Sequence, residues 1–240
     1  LCPGARAHGM HIHGAFAEYV PLHYKGVYKL PEGVSLEEAA TVEPTSVVYR
    51  AVKRSGLQPG ESVHVVGAGP VGLLLANIAR YRGAERIVVS EPLEARREKA
   101  LEMGAEAALD PAEDDVPAML RGLTEGRGAD LAIVAVADSS VVNSAMRTVR
   151  PGGRVLLFAQ TRLGDAATVD AGEVCMLEKT LLGSYSSDIT LQQAAADLVF
   201  SRTIDVRPLI THRFPLERTA DAMCLASSPQ DRSLKVMVQP

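Results

Sequence analysis

From Glu61 onward, short apolar runs alternate with stretches whose apolar positions recur at helical spacing. SVHVVG (62–67) predicts a buried strand, and PVGLLLANIARYRG (70–83) a helix closed by Gly83, a common C-terminal cap. RIVVSE (86–91) predicts the next strand and EARREKALEMG (94–104) a second helix, again ended by glycine. A weak strand at 107–110, a helix at 116–123 and a strand at 129–137 follow. A helix at 140–149 and a strand at 153–159 continue the alternation. KTLLGS (179–184) reads as a sixth strand, 192–201 as a helix, and KVMVQ (235–239) as a strand that returns to a different sheet. Apolar strands alternating with helices indicate βαβ units and a parallel sheet. The pattern therefore predicts an α/β fold, a doubly wound sheet from about 52 to 183, the size of one domain. Residues 1–45 read as loop-rich, with scattered aromatics: Phe16, Tyr19, Tyr24 and Tyr28.

Composition adds exclusions. The 240 residues are 47% hydrophobic and 22% charged, with a net charge of −4. No basic block favours nucleic acid, and no apolar run is long enough to span a bilayer. The three cysteines, Cys2, Cys175 and Cys224, are far apart and odd in number. That argues against a disulfide framework and fits a reducing cytoplasm. Cys175 and Cys224 are expected to be buried small hydrophobes, and His64 and His212 structural histidines in or near strands.

The sharpest motif is GAGPVG at 67–72. Gly67 permits the tight turn out of the strand, Gly69 lets a pyrophosphate approach the backbone, and Gly72 lets the helix pack close to the strand. The helix N-terminus, opened by Pro70 and Val71, offers free N–H groups and its positive dipole end to phosphates. Glu91 ends the following strand at about the 20-residue distance at which an acid holds the adenosine ribose. A carboxylate there favours NAD over NADP, although Arg96 and Arg97 stand one turn further on. A rival reading, an S-adenosylmethionine fold, shares the glycine-rich turn and the acid. The third glycine and the full second half of the sheet favour the dinucleotide.

Near the start, LCPGARAHGMHIHGAFAEYV places Cys2, His8, His11 and His13 within a dozen residues, a zinc-type donor set.

Together these stretches resemble the zinc-dependent medium-chain dehydrogenase/reductase family, which includes alcohol, sorbitol, butanediol and threonine dehydrogenases. GAFAEYV (14–20), YKLPEGVSLEEAATVEP (28–44), GAGPVG with SEPLEARR (90–97), PGGRVLLFA (151–159), GSYS (183–186), THRFPLERTADAM (211–223) and SLKVMV (233–238) carry the resemblance. Glu43-Pro44 stands where classical alcohol dehydrogenases have a cysteine, which is closest to the polyol and butanediol branch.

The resemblance implies a Rossmann domain plus remnants of a GroES-like, β-rich catalytic domain. Residues 1–50 would belong to the catalytic domain, 51–185 to the NAD-binding domain and 186–240 to a return segment. The chain would correspond to the C-terminal portion of such an enzyme, inactive by itself. The implied activity of the whole is hydride transfer between a secondary alcohol or polyol and NAD, with zinc as Lewis acid. Glu43 would face the catalytic zinc, and Cys2 would be the fourth thiolate of a structural zinc lobe. His8, His11 and His13 would fall in a loop without ligands. Gly67, Gly69, Pro70, Val71, Gly72, Glu91 and Arg96 would bind the adenosine and pyrophosphate. Phe158, Ala159, Ser184 and Tyr185 would lie near the nicotinamide, with core packing an equal alternative for Tyr185. A homo-oligomer is expected, with the strand around KTLLGS pairing between subunits. Competing readings are a dinucleotide-binding module without catalysis and a zinc-free quinone reductase relative, against which Cys2 and Glu43-Pro44 speak.

Overall fold

The computed structural model describes residues 4, 6–159, 161–228 and 232–240. Strands β1 (Ser62–Val66), β2 (Arg86–Ser90), β3 (Ala107–Leu109), β4 (Ala129–Val134), β5 (Val149–Leu157) and β6 (Thr180–Gly183) form one sheet in the order β3-β2-β1-β4-β5-β6. Every pairing is parallel. This is the Rossmann strand order, in which β1 and β4 flank the point where the winding reverses. Ligands of such sheets bind at that point, beyond the carboxyl ends of the strands.

The strands predicted from the apolar pattern are all present. β4 stops at Val134 instead of running to 137. Beyond it Val136 turns across Gly67, and the Val134 carbonyl accepts the amides of both Phe158 and Ala159 at 3.1 Å. The helices between the strands are α3 (Pro70–Tyr81), α4 (Glu94–Glu102), α5 (Val116–Leu123), α6 (Val142–Thr148) and α7 (Ala171–Met176). The two predicted glycine stops hold. The Gly83 amide bonds the Arg80 carbonyl and that of Ala84 the Ala79 carbonyl, while Gly104 and Ala105 repeat the arrangement on Leu101 and Ala100. These are paired C-terminal caps closed by a glycine at positive φ.

The loop-rich reading of 1–45 passes over two helices, α1 (Leu36–Ala39) and α2 (Val42–Arg54). Ser35 and Glu38 cap α1 reciprocally, side chain to backbone in both directions. Helix α2 buries Val48, Ala51 and Val52 and packs against α3 and α8 (Gln192–Phe200). Val63 and Val65 on one face of β1 pack with Leu73, Leu75 and Ile78 of α3 in the main core.

The chain then leaves the sheet. Strand β7 (Ile210–Pro215), helix α9 (Thr219–Ser227) and strand β8 (Lys235–Gln239) form a separate parallel pair with α9 packed on both strands, so KVMVQ does enter another sheet. His212 lies within β7. Cys175 and Cys224 are exposed, contrary to expectation. Helix α7 is short and fully buries no residue, and α9 turns Ala222 inward instead of Cys224. Among the described residues no helix is long and apolar enough to cross a membrane.

Candidate functional site

The three glycines between β1 and α3 do different work. Gly67 has φ +102°, and a Cβ there would lie 2.6 Å from Val136 Cγ1. A Cβ on Gly72 would lie 1.9 Å from the Gly67 carbonyl oxygen, so only glycine lets the helix approach its own turn. Gly69 is unlike both. Its φ of −64° and ψ of 174° suit any residue. The nearest atom to its missing Cβ is Arg96 Nη1, 3.9 Å away. No packing of this chain requires glycine there, and the space beside the backbone is open. Gly69 is also the N-cap of α3, followed by Pro70 and Val71, and the first-turn amides lack helical acceptors. An anion suits that position.

Glu91 is 4% exposed and fixed to the same turn. Its Oε2 accepts the Ala68 amide at 2.8 Å, and its Oε1 accepts that of Leu93 at 3.2 Å. Arg96 reaches the turn from α4. Its Nη2 donates to the Ser233 carbonyl at 3.1 Å, and its Nε is buried without a hydrogen-bond partner. Arg97 is otherwise engaged: it donates to the carbonyls of Glu91 and Pro92 and pairs with Asp110 at 2.9 Å. An open backbone cradle, an anchored carboxylate and an orphaned guanidinium nitrogen fit a dinucleotide's pyrophosphate and ribose.

Beside the turn lies a mostly apolar cavity of about 320 Å³, lined by Gly67, Pro92, Val116, Val136 and Ala145 among others, with His64, Ser90 and Thr148 also in its wall. His64 is 2% exposed, and burial holds its pKa down at about 4, so the ring is neutral at ordinary pH. It is the structural histidine expected.

A second cavity, about 730 Å³, brings together Phe158, Ala159, Ser184 and Tyr185. The spacing along the chain does not show this convergence; the parallel pairing of β5 with β6 produces it. Tyr185 is 50% exposed, which removes core packing as its role. Sequence reasoning missed Arg50 and Arg54, which line the same cavity. Arg50 Nη1 donates to the Tyr185 carbonyl at 2.9 Å and to Ser184 Oγ at 3.4 Å; Arg54 Nε donates to the Gly183 carbonyl at 2.6 Å. Two basic residues four apart on α2 were the available signal.

Glu43 is exposed in the first turn of α2. Cys2 lies outside the described residues. Two of the three imidazoles of the N-terminal loop contact their own backbone: His8 Nδ1 lies 3.0 Å from the His13 carbonyl oxygen, and His11 Nδ1 accepts the Ala7 amide at 3.2 Å. Among the described residues no three His, Cys, Asp or Glu side chains gather to hold a metal. The described donors therefore do not by themselves fit a zinc ion.

Comparison with known proteins bears on the same residues. The zinc-binding dehydrogenase family pattern matches residues 70–201. Sorbitol dehydrogenase of Bacillus subtilis (strain 168) is 31% identical over 229 residues, covering 95% of this chain and 64% of that protein. The 2-dehydro-3-deoxy-L-galactonate 5-dehydrogenase of Pseudoalteromonas atlantica is 31% identical over 240 residues, covering 100% and 69%. The chain thus spans less than two thirds of the sorbitol dehydrogenase's length. Among solved structures, a Sinorhizobium meliloti 1021 protein bound to NADP superposes with a TM-score of 0.93 at 30% identity, covering 100% of this chain and 70% of that one. The 2R,3R-butanediol dehydrogenase of Bacillus subtilis gives 0.81 at 27% identity, covering 89% and 60%.

Proposed function

The chain belongs to the family of zinc-binding dehydrogenases, and we propose that it is the dinucleotide-binding portion of an oxidoreductase acting on a secondary alcohol or polyol with NAD. The observation that carries the reading is Gly69: an open backbone cradle at a helix N-terminus, overlooked by Arg96 and flanked by the anchored Glu91. When bound, a nicotinamide dinucleotide accepts a hydride from the hydroxyl-bearing carbon.

The residues supply binding and alignment. Gly67 lets the chain turn, Gly72 lets the helix close on that turn, Gly69 leaves room for the pyrophosphate, and the α3 amides from Val71 onward, behind Pro70, face it. Glu91 accepts from the adenosine ribose hydroxyls. Its charge repels a 2′-phosphate, and Arg97, paired with Asp110, does not offset it; this favours NAD. Arg96 binds the ribose or the adjacent phosphate. Phe158, Ala159, Ser184 and Tyr185 form the wall at the nicotinamide end, where they align the ring.

Glu43 is proposed as this chain's carboxylate toward the catalytic centre and Cys2 as a structural zinc ligand, both on the resemblance. The described residues assemble no metal site by themselves. The division at 50 and 185 and pairing of the β6 edge with a second copy are proposed on the same ground.

The test is reduction of NAD by the purified protein against a panel of sugar alcohols and vicinal diols, alongside direct titration of NAD. Turnover of a polyol supports the reading. Failure to bind either NAD or NADP sinks it, while binding without turnover of any alcohol by the full-length protein favours a binding module.

A further inference from the structure

A buried imidazole in an otherwise aliphatic strand calls for an explanation. His64 sits in β1 between Val63 and Val65, where desolvation of a polar ring is costly unless its nitrogens are satisfied. Both are, and the proton positions follow from the donors available. Thr148 at the end of α6 donates its one hydroxyl proton to the Ala145 carbonyl at 2.8 Å. Thr148 Oγ1 therefore accepts from His64 Nδ1–H, at 3.0 Å. His64 Nε2 then carries the lone pair and accepts the Ser90 hydroxyl, also at 3.0 Å. One continuous line of hydrogen bonds runs from α6 through β1 to the last residue of β2.

That last residue touches the cofactor turn. The Ser90 carbonyl accepts the Gly67 amide at 2.8 Å. Its neighbour Glu91 accepts the Ala68 amide at 2.8 Å. A shift of Ser90 therefore moves the first glycine of the turn and the ribose carboxylate together. His64 and Ser90 also line the cavity that opens beside Gly67.

We infer that His64 is a positioning residue for the adenosine half of the dinucleotide, acting through Ser90 on Gly67 and Glu91. It touches no reacting atom. The inference rests on the dinucleotide reading above. It adds a residue with no place in the glycine-rich motif, reached through the sheet instead of along the loop.

The test is calorimetric titration of the purified protein with ADP-ribose, which holds the adenosine end, and with nicotinamide mononucleotide, which does not. His64→Leu is expected to weaken ADP-ribose about tenfold, or ~1.4 kcal/mol, and to change the mononucleotide less than twofold. Ser90→Ala, which keeps the ring and removes only the hydroxyl, is expected to lose a similar factor. It carries the test if His64→Leu does not fold. The double variant is expected to be no worse than His64→Leu, because both break one chain of bonds. His64→Gln, which restores a polar partner for Ser90, is expected to recover most of the affinity. Unchanged ADP-ribose binding in both single variants, equal losses for the two ligands, or His64→Gln as weak as His64→Leu would each overturn the inference. Failure of the unmodified protein to bind ADP-ribose would instead bring down the dinucleotide reading on which it stands.

Discussion

The carboxylate of Glu91 accepts the amide hydrogen of Ala68 at 2.8 Å, so the acid that directly follows β2 is braced by the glycine-rich turn. Removing it therefore costs twice. Glu91→Ala is expected to weaken NAD ten- to a hundredfold, in line with ~1.5–3 kcal/mol for a hydrogen bond to a charged group. NADP is expected to lose less, because repulsion of its 2′-phosphate disappears at the same time. Paired titrations with the two dinucleotides measure this, and an unchanged NAD-to-NADP ratio would count against the assignment.

Gly69 and Gly72 separate binding from folding. Gly72→Ala drives a Cβ to within 1.9 Å of the Gly67 oxygen, and the backbone must shift. A loss of ~3 kcal/mol of stability is expected. Gly69→Ala meets no such obstacle and is expected to stay within about 0.5 kcal/mol of the parent. Its methyl group fills the space left for the pyrophosphate, so dinucleotide affinity should fall at least tenfold. Denaturant unfolding and titration of both variants decide the point.

The acid limb of stability carries two signatures. Burial holds the folded pKa of His64 at about 4, below its ordinary 6.5, so the unfolded chain binds the proton first. Stability should fall as pH drops from 6.5 to about 4, by ~3 kcal/mol, and no further from this group. His64→Leu should flatten that stretch of the profile. Glu38 acts lower. The Arg202 guanidinium, then the Ser35 amide, holds its carboxyl at about 2, below the ordinary 4.5. Its contribution is complete above 4.5 and is lost as pH falls toward 2. Arg202→Ala should move that loss to higher pH. Chemical denaturation across the acid range reads both.

Arg50 and Arg54 hold three oxygens where β6 ends: the Gly183 carbonyl, the Ser184 hydroxyl and the Tyr185 carbonyl. Replacing Arg50 by alanine should release Tyr185 and raise KM for NAD about fivefold, with ADP-ribose binding unchanged. A matching loss of ADP-ribose affinity would show that the effect is general to the fold.

The Rossmann half of this fold was legible because its central strands are buried on both faces and its first two helices end in glycine. Both leave marks at fixed spacing, as in SVHVV and RIVVS. Helix α2 was not legible in the same way, because Pro44 in its first turn and the polar run around it read as loop. The Ser35–Glu38 box just upstream was the missed signal for α1, while Thr41 at the start of α2 makes no side-chain cap. The proposed adenosine side could be read from the glycine motif and an acid at fixed spacing beyond it. On the other side the resemblance named Phe158, Ala159, Ser184 and Tyr185 but not Arg50, because these residues come from distant segments that meet only once the sheet is laid out. Cys175 and Cys224 misled because residue type predicts burial only on an inward face: α7 turns Val174 toward the core and α9 turns Ala222, leaving both thiols outward.

Helix α2 has a mechanical consequence. Glu43, Val47, Arg50 and Arg54 fall on one stripe of it, and Glu43 and Arg50 are two turns apart, about 10 Å along the axis. One end presents the carboxylate proposed for the catalytic centre, and the other grips the segment that carries Tyr185. A stiff rod therefore sets the distance between them. Any tilt of the helix moves both ends as a lever, so the spacing between Glu43 and the segment that carries Tyr185 is gauged by a single element instead of by two loops that drift independently.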